Sequence, residues 1–254
     1  MRALALQPDL IVFTSSVWQT TCTALRSGEE GFVIDSLVYP DELEALPGVL
    51  EQAGFPVSGL LATHADWDHL LARLAFPDAA IGCGEPTARR IASEPGAAQR
   101  ELRRFDEEHY VRRSQPLMLG GLQELPVPGR LSLGVDKEIE LHAADGHTSD
   151  GTALWVPWLR ALVCGDYLSP VEIPMISESG SAGAYVATLE RLRPLVEQAE
   201  HVIPGHGSPL ARGDALRILD EDLAYIKALP DAELPSARRT AAQDKIHAEN
   251  VSRC

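Results

Sequence analysis

Four side chains that can bind a metal ion fall within the six-residue segment His64-Ala65-Asp66-Trp67-Asp68-His69. Alternate residues of an extended chain point to the same side, so His64, Asp66 and Asp68 face one region, and a turn at Asp68 lets His69 reach it. Neutral imidazoles and carboxylates together suit a divalent metal, whereas without one the two carboxylates repel each other. A helix N-cap at Asp66 or Asp68 would explain one acid but neither flanking histidine. The spacing therefore predicts a metal site.

The elements on either side place this segment on a loop. The apolar run 59–63 predicts a buried strand before it, and residues 69–74 predict the opening of a helix after it. Other strands are predicted at 10–14, 21–26, 31–35 and 79–82, and helices at 41–54 and from Glu85. Strands alternating with helices indicate the α/β class.

Three further ligand candidates each follow a predicted strand. The strand 138–143 precedes Gly146-His147, the strand 161–164 precedes Gly165-Asp166, and the strand 201–203 precedes Pro204-Gly205-His206-Gly207. Strand ends support ligands rigidly, and glycines let the backbone pass close to a site. Any one of these segments alone would be an ordinary turn. Together with the first cluster, they indicate one site built from several loops.

Size and charge limit the classes of function. A chain of 254 residues with 45% hydrophobic content can bury a large core, and we expect a single domain over residues 1–254. The formal net charge of −15 argues against a nucleic-acid or anionic-membrane partner, because such binding depends on clustered Lys and Arg. The oligomeric state is left open.

No apolar run is long enough for a signal peptide or a membrane span, so a cytoplasmic location is expected. The four cysteines, Cys22, Cys83, Cys164 and Cys254, lack a paired spacing. This argues against a disulfide framework or a zinc–thiolate site and favours reduced packing residues.

The ordered set of motifs resembles the metallo-β-lactamase fold hydrolases. Their pattern is a strand-end His-x-His-x-Asp-His, then a Gly-His, a Gly-Asp and a late Pro-Gly-His-Gly. The matching residues here are His64 to His69, Gly146-His147, Gly165-Asp166 and Pro204 to Gly207. The resemblance spans nearly the whole chain. It implies a four-layered αββα sandwich of two similar halves, with a two-metal hydrolytic site between the two sheets.

Carried over position by position, the resemblance implies one metal on His64 and His147 and a second on Asp68, His69 and His206, with Asp166 bridging both. Asp66 departs from the pattern, because most of the family has histidine there, and it completes a set of seven ligands. A carboxylate does occur at this position in a di-iron oxidoreductase branch, where it is glutamate. Members with a single metal also exist.

The metal expected is zinc, as two Zn²⁺ ions. Mn²⁺ or Fe²⁺ remain alternatives, because the additional oxygen donor of Asp66 shifts preference toward harder ions. The extra carboxylate should also make the ions weaker Lewis acids than at a histidine-rich site.

The function implied is a metallo-hydrolase in which a metal-bound hydroxide attacks a small carbonyl substrate, such as a lactone, a thioester or a related ester or amide. Asp68 would orient that nucleophile or pass its proton. Tyr167, directly after Asp166, has two interpretations: a phenol donor to the oxyanion, as some lactone-cleaving relatives use, or an aromatic wall of the pocket.

Two other classes of function remain open. One is an iron-dependent oxidoreductase on the same fold, and the other is a binding protein without turnover. The charged segment 99–113 predicts a helix that either lies solvated on the surface or caps the ligand cluster.

Overall fold

The first of two β-sheets carries the segment that holds His64 to His69. The computed structural model describes residues 1–253. Seven strands pair in chain order, with antiparallel pairing from the first to the fourth strand and parallel pairing from the fourth to the seventh. They are β1 (Arg2–Gln7), β2 (Leu10–Thr14), β3 (Thr21–Ser27), β4 (Glu30–Asp35), β5 (Gly59–Ala62), β6 (Ile81–Gly84) and β7 (Gln123–Leu125).

The second sheet carries the remaining ligand candidates. Its six strands are β8 (Gly129–Leu133), β9 (Lys137–Ala143), β10 (Thr152–Val156), β11 (Ala161–Val163), β12 (His201–Ile203) and β13 (Leu210–Ala211). Their spatial order is β13-β12-β11-β10-β9-β8, and only β11 and β12 pair in parallel.

Helices cover the outer face of each sheet. They are α1 (Pro40–Gln52), α2 (Ala72–Ala75), α3 (Glu85–Ser93), α4 (Ala97–Glu108), α5 (Ala182–Gln198), α6 (Arg212–Ala228) and α7 (Ala241–Ser252). The first sheet packs against α1 and α4, and the second packs against α5 and α6. No helix within residues 1–253 has both the length and the apolar content to cross a membrane.

The alternation of side chains along each strand builds three apolar layers. In β2, Leu10 and Val12 face the layer between the two sheets, whereas Ile11 and Phe13 face the layer beneath the helices. This period of two is the pattern expected of a strand buried on both faces. The sandwich of helix, sheet, sheet and helix agrees with the αββα prediction. Cys22, Cys83 and Cys164 are buried free thiols, and Cys254 lies outside the described residues.

The helix predicted from residue 69 is wrong in its extent. Residues 67–69 form a single 3-10 turn, in which the His69 N–H donates to the Asp66 carbonyl at 3.1 Å, and α2 is only four residues long. Leu70 and Leu71 are both buried, so this segment is enclosed by the core on all sides and does not pack on it through one helical face. Pro77 then disfavours helical geometry at Phe76. The helix predicted over 99–113 runs instead from Ala97 to Glu108.

A buried ion pair fastens the C-terminal segment to the loop 169–177. Arg238 Nη1 donates to Asp222 Oδ1 at 2.6 Å and to a backbone carbonyl of that loop at 2.9 Å. The side-chain carbonyls of Gln243 and Asn250 accept hydrogen bonds from two backbone N–H groups of the same loop, at 2.7 and 2.9 Å. The C-terminal residues thus hold a loop that begins next to Asp166.

Replacing Arg238 should destabilise the protein strongly, because it leaves Asp222 buried without its cation. For Arg238→Met we expect the free energy of unfolding to fall by about 3–5 kcal/mol, measured by urea denaturation. The neighbouring Arg239 is exposed, so Arg239→Met is the matched control and should change stability little. Adding Asp222→Leu to Arg238→Met should recover part of the loss, and no recovery would show that the pair is not the cause.

Candidate metal centre

Asp35 fixes the segment that carries the first ligand candidates. Its carboxylate accepts the Thr63 backbone N–H at 2.8 Å and the Thr63 hydroxyl at 2.9 Å, directly after β5. The same carboxylate lies 3.1 Å from His69 Nδ1, at ion-pair distance from that ring. The sequence analysis did not identify Asp35. The available signal was a charged residue ending the apolar run Val33-Ile34.

The structure brings together all seven side chains predicted as metal ligands. In three sets of residues, potential ligand atoms, one from each residue, lie within 4.8 Å of one another. These sets are His64, Asp66 and His147; His64, His69 and Asp166; and Asp68, His69 and His206. The first and third sets correspond to the two positions that the resemblance implied. The residues converge where β5, β11 and β12 end and where the loop after β9 turns back.

Asp166 joins the sets. Its Oδ1 lies 3.2 Å from Nε2 of His69, and its Oδ2 lies 3.3, 3.4 and 3.6 Å from Nε2 of His147, His206 and His64, respectively. Gly205 makes this approach possible, because a Cβ there would overlap Asp166 Oδ1. The late Gly-His motif therefore contributes both a ligand candidate and the space for Asp166.

Each of the four imidazoles directs its Nε2 into the cluster and has its Nδ1 beside an oxygen atom outside it. Nδ1 is hydrogen-bonded to the Met175 carbonyl in His147 (2.9 Å), to the Trp18 carbonyl in His206 (3.2 Å) and to the Thr63 hydroxyl in His64 (3.0 Å). Nδ1 of His69 lies 3.1 Å from the Asp35 carboxylate without hydrogen-bond geometry. Within residues 1–253, the buried Nε2 atoms of His64, His69 and His147 and Oδ1 of Asp166 have no hydrogen-bond partner. Buried ligand atoms without protein partners, on rings oriented from behind, fit divalent cations.

The pKa shifts of the clustered side chains also favour positive charge within the cluster. Burial alone would lower the pKa of His147, but the carboxylates of Asp166 and Asp66 outweigh it and raise that pKa well above its usual value. Burial alone would raise the pKa of Asp166, yet the imidazoles of His206, His69 and His64 hold it well below its usual range. Both shifts favour cations among these carboxylates, whether protons or metal ions.

Asp66 is held from outside the cluster by Arg90 on α3. Asp66 Oδ2 lies 3.6 and 3.5 Å from Nε2 of His64 and His147, while Oδ1 pairs with Arg90 Nη2 at 2.8 Å. Arg90 Nη1 pairs with the buried Asp150 at 2.8 Å. The sequence analysis missed both Arg90 and Asp150, which stand 24 and 84 residues from Asp66 along the chain. Sequence alone carried no signal for them.

Tyr167 supports the loop that carries His147. Its hydroxyl accepts the His147 backbone N–H at 2.9 Å, and its buried ring packs on Tyr185 with centroids 4.5 Å apart. Burial raises the pKa of this phenol. The catalytic role predicted for Tyr167 and its alternative, an aromatic wall of the pocket, both stay predictions, and these contacts show a buried residue that holds the His147 backbone.

The helix α4 covers the outer side of the ligand segment. Phe105 on α4 packs on Trp67, with centroids 4.9 Å apart, and Trp18 packs on both rings. Beside Ala65 lies a cavity of about 310 Å³, which is also lined by Arg90, Glu94, Glu101 and Met118. The segment predicted as either a solvated helix or a cap therefore packs against the loop that carries the ligand candidates and lines a cavity next to it.

The family model described as the metallo-beta-lactamase superfamily matches residues 15–206 of the chain. This range contains all seven ligand candidates. A search of curated proteins finds no match.

Solved structures confirm the fold class. A metallo-beta-lactamase family protein from Thermus thermophilus is 20% identical, with a TM-score of 0.69 over 88% of this chain and 81% of that chain. The DIM-1 metallo-beta-lactamase is 16% identical, with a TM-score of 0.64 over 89% of this chain and 96% of that chain. The sec-alkylsulfatase Pisa1 from Pseudomonas sp. is 16% identical, with a TM-score of 0.67 over 89% of this chain but only 42% of its own length.

Removing metal should lower the melting temperature, because the ligand candidates lie on separate loops from His64 to His206. An ion that binds only the folded chain, present at 1,000 times its dissociation constant, adds roughly 4 kcal/mol to the free energy of unfolding. We expect chelation to lower the melting temperature and re-addition of zinc to restore it, measured by calorimetry with elemental analysis.

Two variants sharpen this test. His64→Ala should reduce the chelator-dependent shift, whereas His201→Ala, on β12 outside the cluster, should retain it. A melting temperature unchanged after verified metal loss would count against a site shared between the loops.

Proposed function

Because the chain belongs to the metallo-beta-lactamase superfamily, we propose that it is a hydrolase that holds two divalent metal ions and cleaves a small carbonyl substrate, such as a lactone, a thioester or a related ester or amide. The family and the clustered histidines and aspartates support a metal-dependent hydrolase in general. The observation that carries the proposal is the convergence of two sets of ligand atoms on Asp166, whose oxygens lie within 3.6 Å of all four imidazoles.

The seven candidates divide between the two ions. His64, Asp66 and His147 would hold one, and Asp68, His69 and His206 the other, with Asp166 between them. Imidazole nitrogen and carboxylate oxygen together suit zinc, and the number of oxygen donors makes Mn²⁺ and Fe²⁺ the alternatives.

When bound, divalent ions lower the pKa of a nearby water and polarise a carbonyl oxygen. Around them the chain supplies position and proton transfer. Asp68 turns Oδ2 toward His69 and His206, at 3.6 and 3.5 Å from their Nε2 atoms. In this proposal the carboxylate of Asp68 orients the attacking water and accepts its proton.

In this proposal the substrate enters the cavity beside Ala65, which borders the ligand segment but is lined by none of the seven ligand candidates. The charges around that cavity favour a carbonyl substrate over a phosphate or sulfate ester. Arg90 is the only cationic side chain that lines it within the described residues, and Arg90 is already paired with two carboxylates. Glu94 and Glu101 line the same cavity and would repel an anionic group. A volume of about 310 Å³ lies at the lower end of the range for small-molecule sites.

A hydrolysis panel combined with metal analysis tests the proposal. Purified protein with its metal content measured would be offered lactones, thioesters, β-lactams, a phosphodiester and an alkyl sulfate, with and without a chelator. We expect chelator-sensitive turnover of at least one carbonyl class and little turnover of the phosphodiester or sulfate. Preferred cleavage of either anionic ester, or redox activity with bound iron instead of hydrolysis, would overturn it.

Removing the proton acceptor should abolish most turnover while the fold persists. Asp68→Asn keeps the shape of the side chain but not its charge, so kcat on the best substrate should fall by roughly a hundredfold or more. Asp136→Asn, an exposed position in the turn between β8 and β9, makes the same chemical change away from the site and should leave kcat unchanged. A wild-type rate in Asp68→Asn, with circular dichroism confirming the fold, would refute the role of Asp68.

A further inference from the structure

The carboxylate of Asp66 is divided between two partners. Oδ2 faces the Nε2 atoms of His64 and His147, and Oδ1 faces the guanidinium of Arg90. Asp66 is therefore presented to the cluster through one oxygen, with the other already occupied.

Arg90 is itself held in place from a second side. Its Nη1 donates to Oδ1 of Asp150, a residue that is only 1% exposed, and Oδ2 of Asp150 accepts the Ala65 backbone N–H at 2.8 Å. The Asp150 backbone carbonyl accepts the Thr87 hydroxyl on α3 at 2.9 Å. One network thus joins α3, the loop after His147 and the residue next to Asp66.

The planar guanidinium suits this arrangement. Its N–H groups have fixed directions and it stays protonated, so it can hold two carboxylates at once in a set geometry. With Oδ1 engaged at 2.8 Å, the Asp66 side chain cannot rotate to offer both oxygens to the cluster without losing a charge-assisted hydrogen bond. Hydrogen bonds from outside a metal site orient its ligands in this way.

We propose that Arg90 is a positioning residue that makes Asp66 a one-oxygen ligand of the ion held with His64 and His147. Asp150 fixes Arg90 in this role and ties it to the backbone of the ligand segment at Ala65. The inference rests on the proposed metal centre, and it adds a residue outside the seven ligand candidates.

A purely structural role for Arg90 makes a different prediction. If Arg90 only fastens α3 to the loops through Asp150, its replacement should affect metal binding equally whether residue 66 is aspartate or histidine. If it acts through the carboxylate of Asp66, the effect should disappear when that carboxylate is absent. A double-mutant cycle separates the two roles.

The cycle uses the full chain as wild type, Arg90→Gln, Asp66→His and the double variant. Zinc affinity is measured by competition with a chromophoric chelator, stoichiometry by elemental analysis, and ligand geometry by the visible absorption of the cobalt(II)-substituted protein. For Arg90→Gln alone we expect zinc at one site to bind roughly 10- to 100-fold more weakly, with a shifted cobalt spectrum. In the Asp66→His background, Arg90→Gln should change affinity and spectrum little.

The sign of the first effect is informative. Removing a positive charge would by Coulomb attraction alone strengthen the binding of a cation, so weaker binding reports lost positioning. Arg89→Gln, which removes the same charge from a side chain that is 68% exposed on the same helix, is the matched control and should change nothing. Arg90→Lys runs through the same cycle in case Arg90→Gln does not fold, because it keeps a charge against Asp150 while one ammonium cannot span both carboxylates.

Unchanged or tighter binding in Arg90→Gln overturns the inference, and so does an equal loss in both backgrounds. The failure of the proposed function is distinguishable from these results: in that case the wild-type protein itself binds no zinc, manganese or iron, and the inference falls with it.

Discussion

The rest of this structure depends on one constraint, which is the free-energy cost of burying several carboxylates beside imidazoles. Asp166 lies within 3.6 Å of four imidazole nitrogens and is 14% exposed. Desolvation penalises every charged member of such a cluster, and cations bound within it, whether protons or metal ions, offset that penalty. The fold must therefore hold these side chains near one another against their own solvation preferences.

The protein meets this demand with supports that lie outside the cluster. The Asp35 carboxylate is hydrogen-bonded to Thr63 at the end of β5 and lies at ion-pair distance from His69. The Tyr167 hydroxyl accepts a hydrogen bond from the His147 backbone N–H, and the Met175 carbonyl, in the loop 169–177, accepts one from His147 Nδ1. The same loop donates from Ser169 to the His206 carbonyl at 2.8 Å and is itself held by the C-terminal segment. Residues after 206, beyond the range that the family model matches, thus contribute to the geometry of the centre.

Features that depend on neighbouring residues could be predicted from the sequence, whereas features that depend on contacts between distant segments could not. The ligand candidates could be singled out because they lie in the segments that follow four strands, and the strands could be predicted because β2, β5 and β12 are short apolar runs. The helix after His69 was predicted wrongly, since periodicity cannot distinguish a helix from a segment whose consecutive leucines are all buried. Asp35, Arg90 and Asp150 were missed for a different reason: their partners are brought close only by the folded chain, and an isolated charged residue carries no sign of its partner.

These missed residues change the chemistry expected at residue 66. Counting ligands along the sequence makes Asp66 a full additional negative charge, and this was the basis for expecting weaker Lewis acidity and a shift toward manganese or iron. In the structure one oxygen of that carboxylate is paired with the Arg90 guanidinium. The carboxylate therefore has less electron density to donate to an ion, and it presents only its other oxygen to the cluster. An imidazole also presents a single donor atom. In the proposed site, replacing histidine by aspartate at residue 66 therefore changes the chemistry less than the sequence suggests, because the Asp66–Arg90 pair, and not Asp66 alone, stands where the resemblance places a histidine.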